Sequence, residues 1–349
     1  MTVHASGLDR DPTLADAQAA MDVLRRYRAR AGAAAAPAPD LYPDLAASYD
    51  AGHVADAAYR ATLPDLQNAP AATIRGTDRR IQHVGVAGFR TPLTLPLRAG
   101  PRPVDAHVSG TVSLEAGTKG INMSRILRTF QAGPGILDFA SVEGVLRAYL
   151  ADLAAVDARL LIRFQVPLPV SALRSGLTGW QYYDAALEVV RDGGARHRVL
   201  HLDYVYASTC PCSLELSEHA RRTRGVLATP HSQRSVARLS LQVTGAVGVE
   251  DVIEMCRAQV PTETQVMVKR EDEQAFAELN AANPIFVEDA VRLFAQGLDG
   301  MEGVGDFRVV ASHQESLHSH DAVSVLTSGA LFEAPTLEPG LFGTLVHGG

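Results

Sequence analysis

Apolar and polar residues alternate in short runs along most of the chain after residue 82, and this period of two is typical of half-buried β-strands. In the run 198–207, for example, every second residue from Leu200 to Tyr206 is apolar or aromatic, as in an antiparallel strand with one face on the core. A short break at Arg90 separates the first two strands. The predicted strands cover residues 83–89, 91–97, 105–115, 160–170, 180–190, 198–207, 237–243, 307–311 and 322–326.

Apolar residues spaced three and four apart predict helices between these strands. The predicted helices cover residues 13–30, 142–160 and 250–260, and another opens at Asn283 and Pro284, a capping side chain followed by a proline in the first turn. The order β, β, α, β, β is loosely repeated in the second half of the chain. It predicts an α+β fold of two tandem modules, each an antiparallel sheet backed by helices.

The first 58 residues differ from this pattern. A helix that ends in several arginines is followed at residues 31–39 by an alanine- and proline-rich linker. We therefore divide the chain into an N-terminal extension at 1–58, mobile in part, a first module at 59–212 and a second module at 213–349.

Composition narrows the class of protein further. Among the 349 residues, 46% are apolar and the mean hydropathy is +0.01, as expected for a soluble globular protein. No apolar run approaches the roughly 18 residues of a membrane helix, and the N-terminus does not have the pattern of a secretory signal. A net charge of −7 argues against a nucleic-acid surface, although a local basic pocket for phosphate remains compatible with it. Three cysteines do not form a disulfide framework, so a reducing cytoplasm is the expected location.

Candidate chemistry centres on Cys210, Cys212 and His231, which lie in one loop-like segment between two predicted strands. A thiol close to an imidazole suits either a metal site or nucleophilic catalysis. We expect a single metal ion to take only one of Cys210 and Cys212, while the other packs against the protein. Two small buried side chains are the alternative interpretation of this cysteine pair.

Other clusters add acids, bases and cations. Glu288 lies in an apolar helix, where an unpaired buried carboxylate would be costly. Residues 312–320 contain three histidines and Glu315, a density that suits proton transfer or metal ligation. Lys119 and Arg125 flank a glycine and could bind phosphate, although a solvated turn fits this spacing equally well. Residues 269–273 carry charges of both signs ahead of an apolar helix, which is also typical of a solvated helix start.

These segments, in this order, resemble the GTP cyclohydrolase IB family. The similarity extends over about residues 60–345 and leaves the N-terminal extension outside it. It is carried by the motifs LPDLQ at 63–67, KGINMSR at 119–125, STCPCS at 208–213, PHSQRS at 230–235, VKREDE at 268–273, FVEDA at 286–290 and ESLH at 315–318.

The resemblance implies a tunnelling fold and a homotetramer with active sites at subunit interfaces. It also implies hydrolysis of GTP to 7,8-dihydroneopterin triphosphate and formate, the first step toward tetrahydrofolate. Matching motifs assign a role to each candidate residue: Cys210, His231 and Glu273 as metal ligands, Glu288 on the guanine edge, Glu315 and His318 as proton carriers, and Lys119 and Arg125 on the triphosphate.

The residue types fit this chemistry. A divalent metal makes water nucleophilic near neutral pH and directs it at guanine C8, and three protein ligands leave room for that water. Sulfur, nitrogen and oxygen ligands together admit Zn²⁺, Mn²⁺ or Fe²⁺. Three alternatives remain open: a related cyclohydrolase that forms a 2′,3′-cyclic phosphate, a nitrile reductase of the same fold in which the cysteine forms a covalent adduct and NADPH is used, and a metal-binding protein without catalysis.

Overall fold

A computed structural model describes residues 11, 13–31 and 49–345. Within these residues the main feature is an eight-stranded antiparallel sheet, in which the strands lie side by side in chain order. The strands are β1 (Ile81–Leu95), β2 (Arg102–Leu114), β3 (Ala158–Ser171), β4 (Thr178–Asp192), β5 (Ala195–Thr209), β6 (Ser232–Val243), β7 (Val304–His313) and β8 (Ala322–Ser328).

The helices of the described residues are α1 (Leu14–Ala31), α2 (Ala57–Ala61), α3 (Met123–Gln131), α4 (Phe139–Asp152), α5 (Pro211–Arg224), α6 (Val249–Gln259), α7 (Arg270–Ala282) and α8 (Val287–Asp299). The first two belong to one compact unit, residues 1–64, and all the strands belong to a second unit, residues 65–349. Helix α1 confirms the helix predicted near the N-terminus, whereas almost all of the predicted linker at 31–39 lies outside the described residues. None of the helices described has the length and apolar character needed to cross a bilayer.

Helices interrupt the meander of strands at three places: α5 lies between β5 and β6, and the other two places are equivalent in the two modules. Helices α3 and α4 connect β2 to β3, and α6, α7 and α8 connect β6 to β7. The structure therefore confirms the predicted α+β class, with two tandem modules of antiparallel sheet backed by helices, the arrangement implied for a tunnelling fold. Four strands per module would place the division at the turn between β4 and β5, and the predicted boundary after residue 212 stays a prediction.

Helices and alternate strand residues share one core. Tyr149 of α4, Tyr204 of β5 and Phe294 of α8 are almost completely buried in it. Gly110 of β2 permits the close approach of α4, because a Cβ atom at this position would lie 2.9 Å from the Tyr149 ring. The core thus fixes the positions of the strands whose ends carry the candidate site.

The opposite face of the sheet is polar. A cavity of about 1550 Å³ lies over it, lined by charged side chains of the central strands. Arg238 of β6 donates two hydrogen bonds, of 2.6 and 2.7 Å, to Asp203 of β5, and also binds Thr344 of the C-terminal segment. Leu341 and Leu345 are buried against Val205 and neighbouring valines. The C-terminal segment therefore lies on this face.

Three predicted boundaries were wrong. Strand β1 continues through Arg90, since this residue pairs with His107 and its guanidinium binds Asp105 on the exposed side. The helix predicted to extend to residue 160 ends at Asp152, because Ala154 adopts a left-handed φ of 50° before β3 begins. Asn283 caps the C-terminus of α7 instead of opening α8, as a residue before proline avoids the helical region.

Helix α7 is held at its first turn by a buried carboxylate. Asp272 accepts hydrogen bonds of 2.8 Å from the backbone N–H groups of Lys269, Arg174 and Ser175. Burial alone would raise the pKa of Asp272, but these hydrogen bonds hold it well below its ordinary value. The loop between β3 and β4 is thereby tied to the turn that carries Glu273.

Replacing Asp272 with alanine is expected to lower the melting temperature by about 3 °C, because three partly buried N–H groups lose their acceptor. Differential scanning calorimetry measures this effect, and Glu271→Ala, an exposed change in the same turn, is the matched control. Equal melting temperatures for the two variants would contradict the anchoring role.

Candidate active site

The ends of β5 and β6 bring Cys210 and His231 together. Thr209 and Ser232 are the last paired residues of these strands, and the N–H of Cys210 donates a hydrogen bond of 3.2 Å to the carbonyl of His231. Both residues are half-buried. The sheet therefore places a thiol beside an imidazole although 20 residues separate them along the chain.

The segment between them is not the loop that we predicted. Residues 211–224 form helix α5, with Pro211 in its first turn and the left-handed Gly225 (φ 61°) as its C-cap. Cys210 is the N-cap residue, and its side chain makes no capping hydrogen bond. Cys212 lies in the first helical turn and is exposed, whereas Cys210 is half-buried, so the two cysteines face different surroundings.

His231 is surrounded by acceptors on one side of its ring. Its Nδ1 lies 3.1 Å from Oε1 of Gln233 and 3.4 Å from Oε2 of Glu315. The Nε2 of Gln233 donates a hydrogen bond of 2.8 Å to Oγ of Ser208, which is 2.7 Å from Oγ of Ser235. Sequence reasoning missed this chain of contacts, although the spacing of residues 231, 233 and 235 on a strand places their side chains on one face.

Glu315 follows β7 in a segment of bends that ends at His320. Its Oε2 is buried and has no hydrogen-bond partner within the described residues. His318 is exposed, and its ring stacks on that of His320 at 4.9 Å. The structure thus places Glu315 beside His231, whereas His318, the other predicted proton carrier, lies beside His320.

The predicted metal ligands are divided between two places. Glu273 is exposed in the first turn of α7, while Cys210 and His231 lie at the ends of β5 and β6. Among the residues that the structure describes, no group of three histidine, cysteine, aspartate or glutamate side chains could hold a metal ion. One chain alone therefore does not bring the three ligands together, and their assignment stays a prediction.

Glu288 is not buried, contrary to our expectation. It lies in the first turn of α8 between the buried Val287 and Ala290, but its side chain is exposed because the amphipathic helix turns it away from the core. A carboxylate is favourable at this position, since the N-terminus of a helix carries partial positive charge. An exposed carboxylate is accessible to a ligand or to another subunit.

The two predicted phosphate-binding cations lie at the start of α3. Lys119 donates a hydrogen bond of 2.5 Å to the carbonyl of Thr73, and Arg125 donates one of 3.1 Å to the carbonyl of Asp152. Asn122 caps the helix between them, so the glycine segment leads into a helix that the sequence analysis did not identify. Their binding to phosphate stays a prediction.

Beneath the site, burial lowers the pKa of His313 to about 4. Its Nε2 is hydrogen-bonded to the hydroxyl of Tyr206 at 2.9 Å, and the ring is 3% exposed. Because the ordinary pKa of histidine is about 6.5, the unfolded chain takes up a proton in this pH range that the folded chain does not. The free energy of unfolding should therefore decrease as the pH falls from about 6.5 to about 4.

We expect His313 to account for about 3 kcal/mol of this decrease. Urea unfolding between pH 4 and pH 7 should show a shallower pH dependence for His313→Gln, whose amide still offers Tyr206 a hydrogen bond. His320→Gln, at an exposed histidine, should retain the dependence of the wild type. Parallel curves for His313→Gln and wild type would contradict this assignment.

Comparisons with known proteins give consistent matches. A family model described as type I GTP cyclohydrolase folE2 matches residues 63–324, which include every candidate site residue. The chain is 58% identical to a protein named GTP cyclohydrolase FolE2 from Jannaschia sp. (strain CCS1), with 100% of both chains covered. It is 56% identical to one of the same name from Ruegeria sp. (strain TM1040), again with 100% of both covered.

Similar solved structures include two uricases. The enzyme from Arthrobacter globiformis has a TM-score of 0.47 at 9% identity, with 75% of this chain and 97% of that chain covered. The uricase from Bacillus fastidious has a TM-score of 0.45 at 10% identity, with 71% of this chain and 93% of that chain covered. Similarity at this level gives no information about the site.

Proposed function

The chain belongs to the type I GTP cyclohydrolase folE2 family, and on this premise we propose that it hydrolyses GTP to 7,8-dihydroneopterin triphosphate and formate. It is then a hydrolase of cyclic amidine C–N bonds that carries out the first step of tetrahydrofolate biosynthesis. The observation that carries the proposal is the placement of Cys210 beside His231 at the ends of β5 and β6.

The residues at this place suit a divalent cation. The thiol of Cys210 is not used in capping α5, and the backbone N–H of this residue donates a hydrogen bond of 3.2 Å to the carbonyl of His231. Glu273 completes a set of sulfur, nitrogen and oxygen donors, for which Zn²⁺, Mn²⁺ and Fe²⁺ are suitable ions. When bound, such a cation supplies the Lewis acidity that makes water a nucleophile near neutral pH.

The other residues bind the substrate and move protons. Glu288 accepts the N1–H and 2-amino hydrogens of guanine, which is a geometry that a carboxylate matches with both oxygens. Opening the imidazole ring and releasing formate require proton transfers, and we assign these to Glu315 and His318. Lys119 and Arg125 neutralise the triphosphate.

We further propose that the active enzyme is a homo-oligomer, a tetramer by the family resemblance, with Glu273 supplied to Cys210 and His231 by a neighbouring subunit. Strands β1 and β8 support self-association, because they are the edge strands of the sheet in the described residues, and the outer edge of β1 is bridged there at Thr94 alone. All three cysteines are free. A thiol that ligates a metal must be reduced, so we place the enzyme in the cytoplasm.

Incubation of the metal-loaded protein with GTP tests the function directly. We expect formate together with a product that becomes a fluorescent pterin on oxidation, with each of Mn²⁺, Zn²⁺ and Fe²⁺ tried separately. The mass of the product distinguishes the triphosphate from a 2′,3′-cyclic phosphate. Absence of formate and pterin with all three metals, or oxidation of NADPH by a nitrile substrate, would overturn the proposal.

A further inference from the structure

The ring of His231 is held by a chain of buried polar side chains that has no place in the chemistry described so far. From Nδ1 the contacts run to Gln233 at 3.1 Å, then to Ser208 at 2.8 Å and Ser235 at 2.7 Å. Gln233, Ser208 and Ser235 are all buried. We call these three residues the glutamine relay.

The relay could be polarised in either direction. In one direction Nδ1–H of His231 donates to Oε1 of Gln233, and Nε2 of Gln233 donates to Ser208. In the other direction every donor is reversed, Gln233 presents its N–H to Nδ1, and the histidine carries its proton on Nε2. Amide and hydroxyl groups permit both arrangements, so the relay alone does not select the tautomer.

Glu315 selects the direction. Its Oε2 lies 3.4 Å from Nδ1 of His231 and is buried without any other hydrogen-bond partner within the described residues. A carboxylate oxygen attracts an N–H group at Nδ1 and repels a lone pair there. Protonation of Nδ1 is therefore favoured, and the relay takes the direction in which Gln233 accepts.

We propose that Gln233 is a positioning residue that, together with Glu315, holds His231 with its proton on Nδ1 and its Nε2 free to bind the metal. The inference rests on the proposed function only for the presence of the metal. A histidine that ligates a metal through one nitrogen commonly donates the other N–H to an acceptor, which fixes the tautomer and the orientation of the ring. Here the acceptor is the amide oxygen of Gln233, and the hydrogen bond from Gln233 to Ser208 holds that amide in place.

Metal affinity provides the first test. Loss of such an outer partner weakens metal binding by about 10- to 100-fold. We expect this decrease for Gln233→Met, which keeps the length of the side chain without its polar atoms, in titrations with Zn²⁺ or Co²⁺ against a chelator. Gln242→Met is the matched control, because Gln242 lies on the same strand and contacts Nδ1 of His197 at 3.3 Å, away from Cys210. Its metal affinity should equal that of the wild type.

Nitrogen NMR provides the second test. In the metal-free protein, long-range ¹H–¹⁵N spectra should identify His231 as the Nδ1–H tautomer, with the signal assigned by its loss in His231→Gln. The Nε2–H form should appear in Glu315→Gln, because the amide no longer selects the direction of the relay. Should Gln233→Met fail to fold, Ser208→Ala removes the acceptor of the Gln233 amide and should weaken metal binding about fivefold.

The proposal is overturned if folded Gln233→Met binds the metal within about twofold of wild type, or if wild-type His231 is the Nε2–H tautomer. Neither measurement uses GTP. If Gln233→Met weakens metal binding but the wild type does not turn over GTP, the proposed function is contradicted and the relay stands. If the wild type turns over GTP but Gln233→Met binds the metal as tightly as the wild type, the relay is contradicted and the proposed function stands.

Discussion

Cys210→Ser should lower the turnover of GTP by at least about 1000-fold without lowering the stability of the metal-free protein. Removal of a metal ligand costs several kcal/mol of transition-state stabilisation, which corresponds to a factor of this size. The same substitution should reduce the amount of metal that copurifies with the protein. Steady-state formate release and metal analysis of the purified variant measure both effects.

Stability should not decrease, because serine is a better N-cap than cysteine. Cys210 occupies the N-cap of α5 without making a capping hydrogen bond, and a serine hydroxyl there could accept one from the first turn. We expect a gain of up to about 1 kcal/mol in the free energy of unfolding of the metal-free protein. Cys210 is therefore an N-cap residue that makes no capping hydrogen bond, and it is also the residue that we assign to the metal.

Cys212→Ser is the matched control for this experiment. It makes the same chemical change two residues away, at an exposed position in the first turn of α5. Activity and metal content should stay within about twofold of wild type, because no contact with the site is removed. Equal losses for the two variants would indicate that the cysteine pair acts as a unit and would contradict the assignment of Cys210 alone.

Secondary structure could be predicted wherever burial of one face of a strand or helix imposes a regular spacing of apolar residues. The alternation from Leu200 to Tyr206 predicted β5, since one face of that strand packs on the core. Helix α5 was missed because only Ser217 of its residues is buried, and a helix with so little contact with the core has no apolar stripe to detect. The same reasoning explains Glu288, whose apolar neighbours suggested burial although the helix directs the carboxylate outward.

Contacts between distant segments were the least predictable part of the site. Glu315 lies beside His231 only because β6 pairs with β7 in register, from Ser235 with His313 onward. Motifs along a sequence give the residue types but not this register. A site that another subunit completes cannot be predicted in this way, because the pattern along one chain contains no information about the geometry between copies.

Mixed oligomers of two inactive variants should recover activity if Glu273 comes from a neighbouring subunit. Cys210→Ser and Glu273→Gln should each be at least about 1000-fold impaired as pure oligomers. When the two are dissociated and reassembled in equal amounts, about a quarter of the sites receive an unaltered Cys210 from one subunit and an unaltered Glu273 from the next. Formate release should therefore rise to about a quarter of the wild-type rate.

Cys210→Ser mixed with His231→Gln is the control, because Cys210 and His231 lie beside each other at the ends of β5 and β6 of one chain. No subunit of this mixture contains both unaltered residues, so its activity should stay at the level of the single variants. Tagged subunits and native mass spectrometry verify that both mixtures have exchanged. Exchange without recovery in the Glu273→Gln mixture would place all three ligands within one subunit and would require α7 to move toward the ends of β5 and β6.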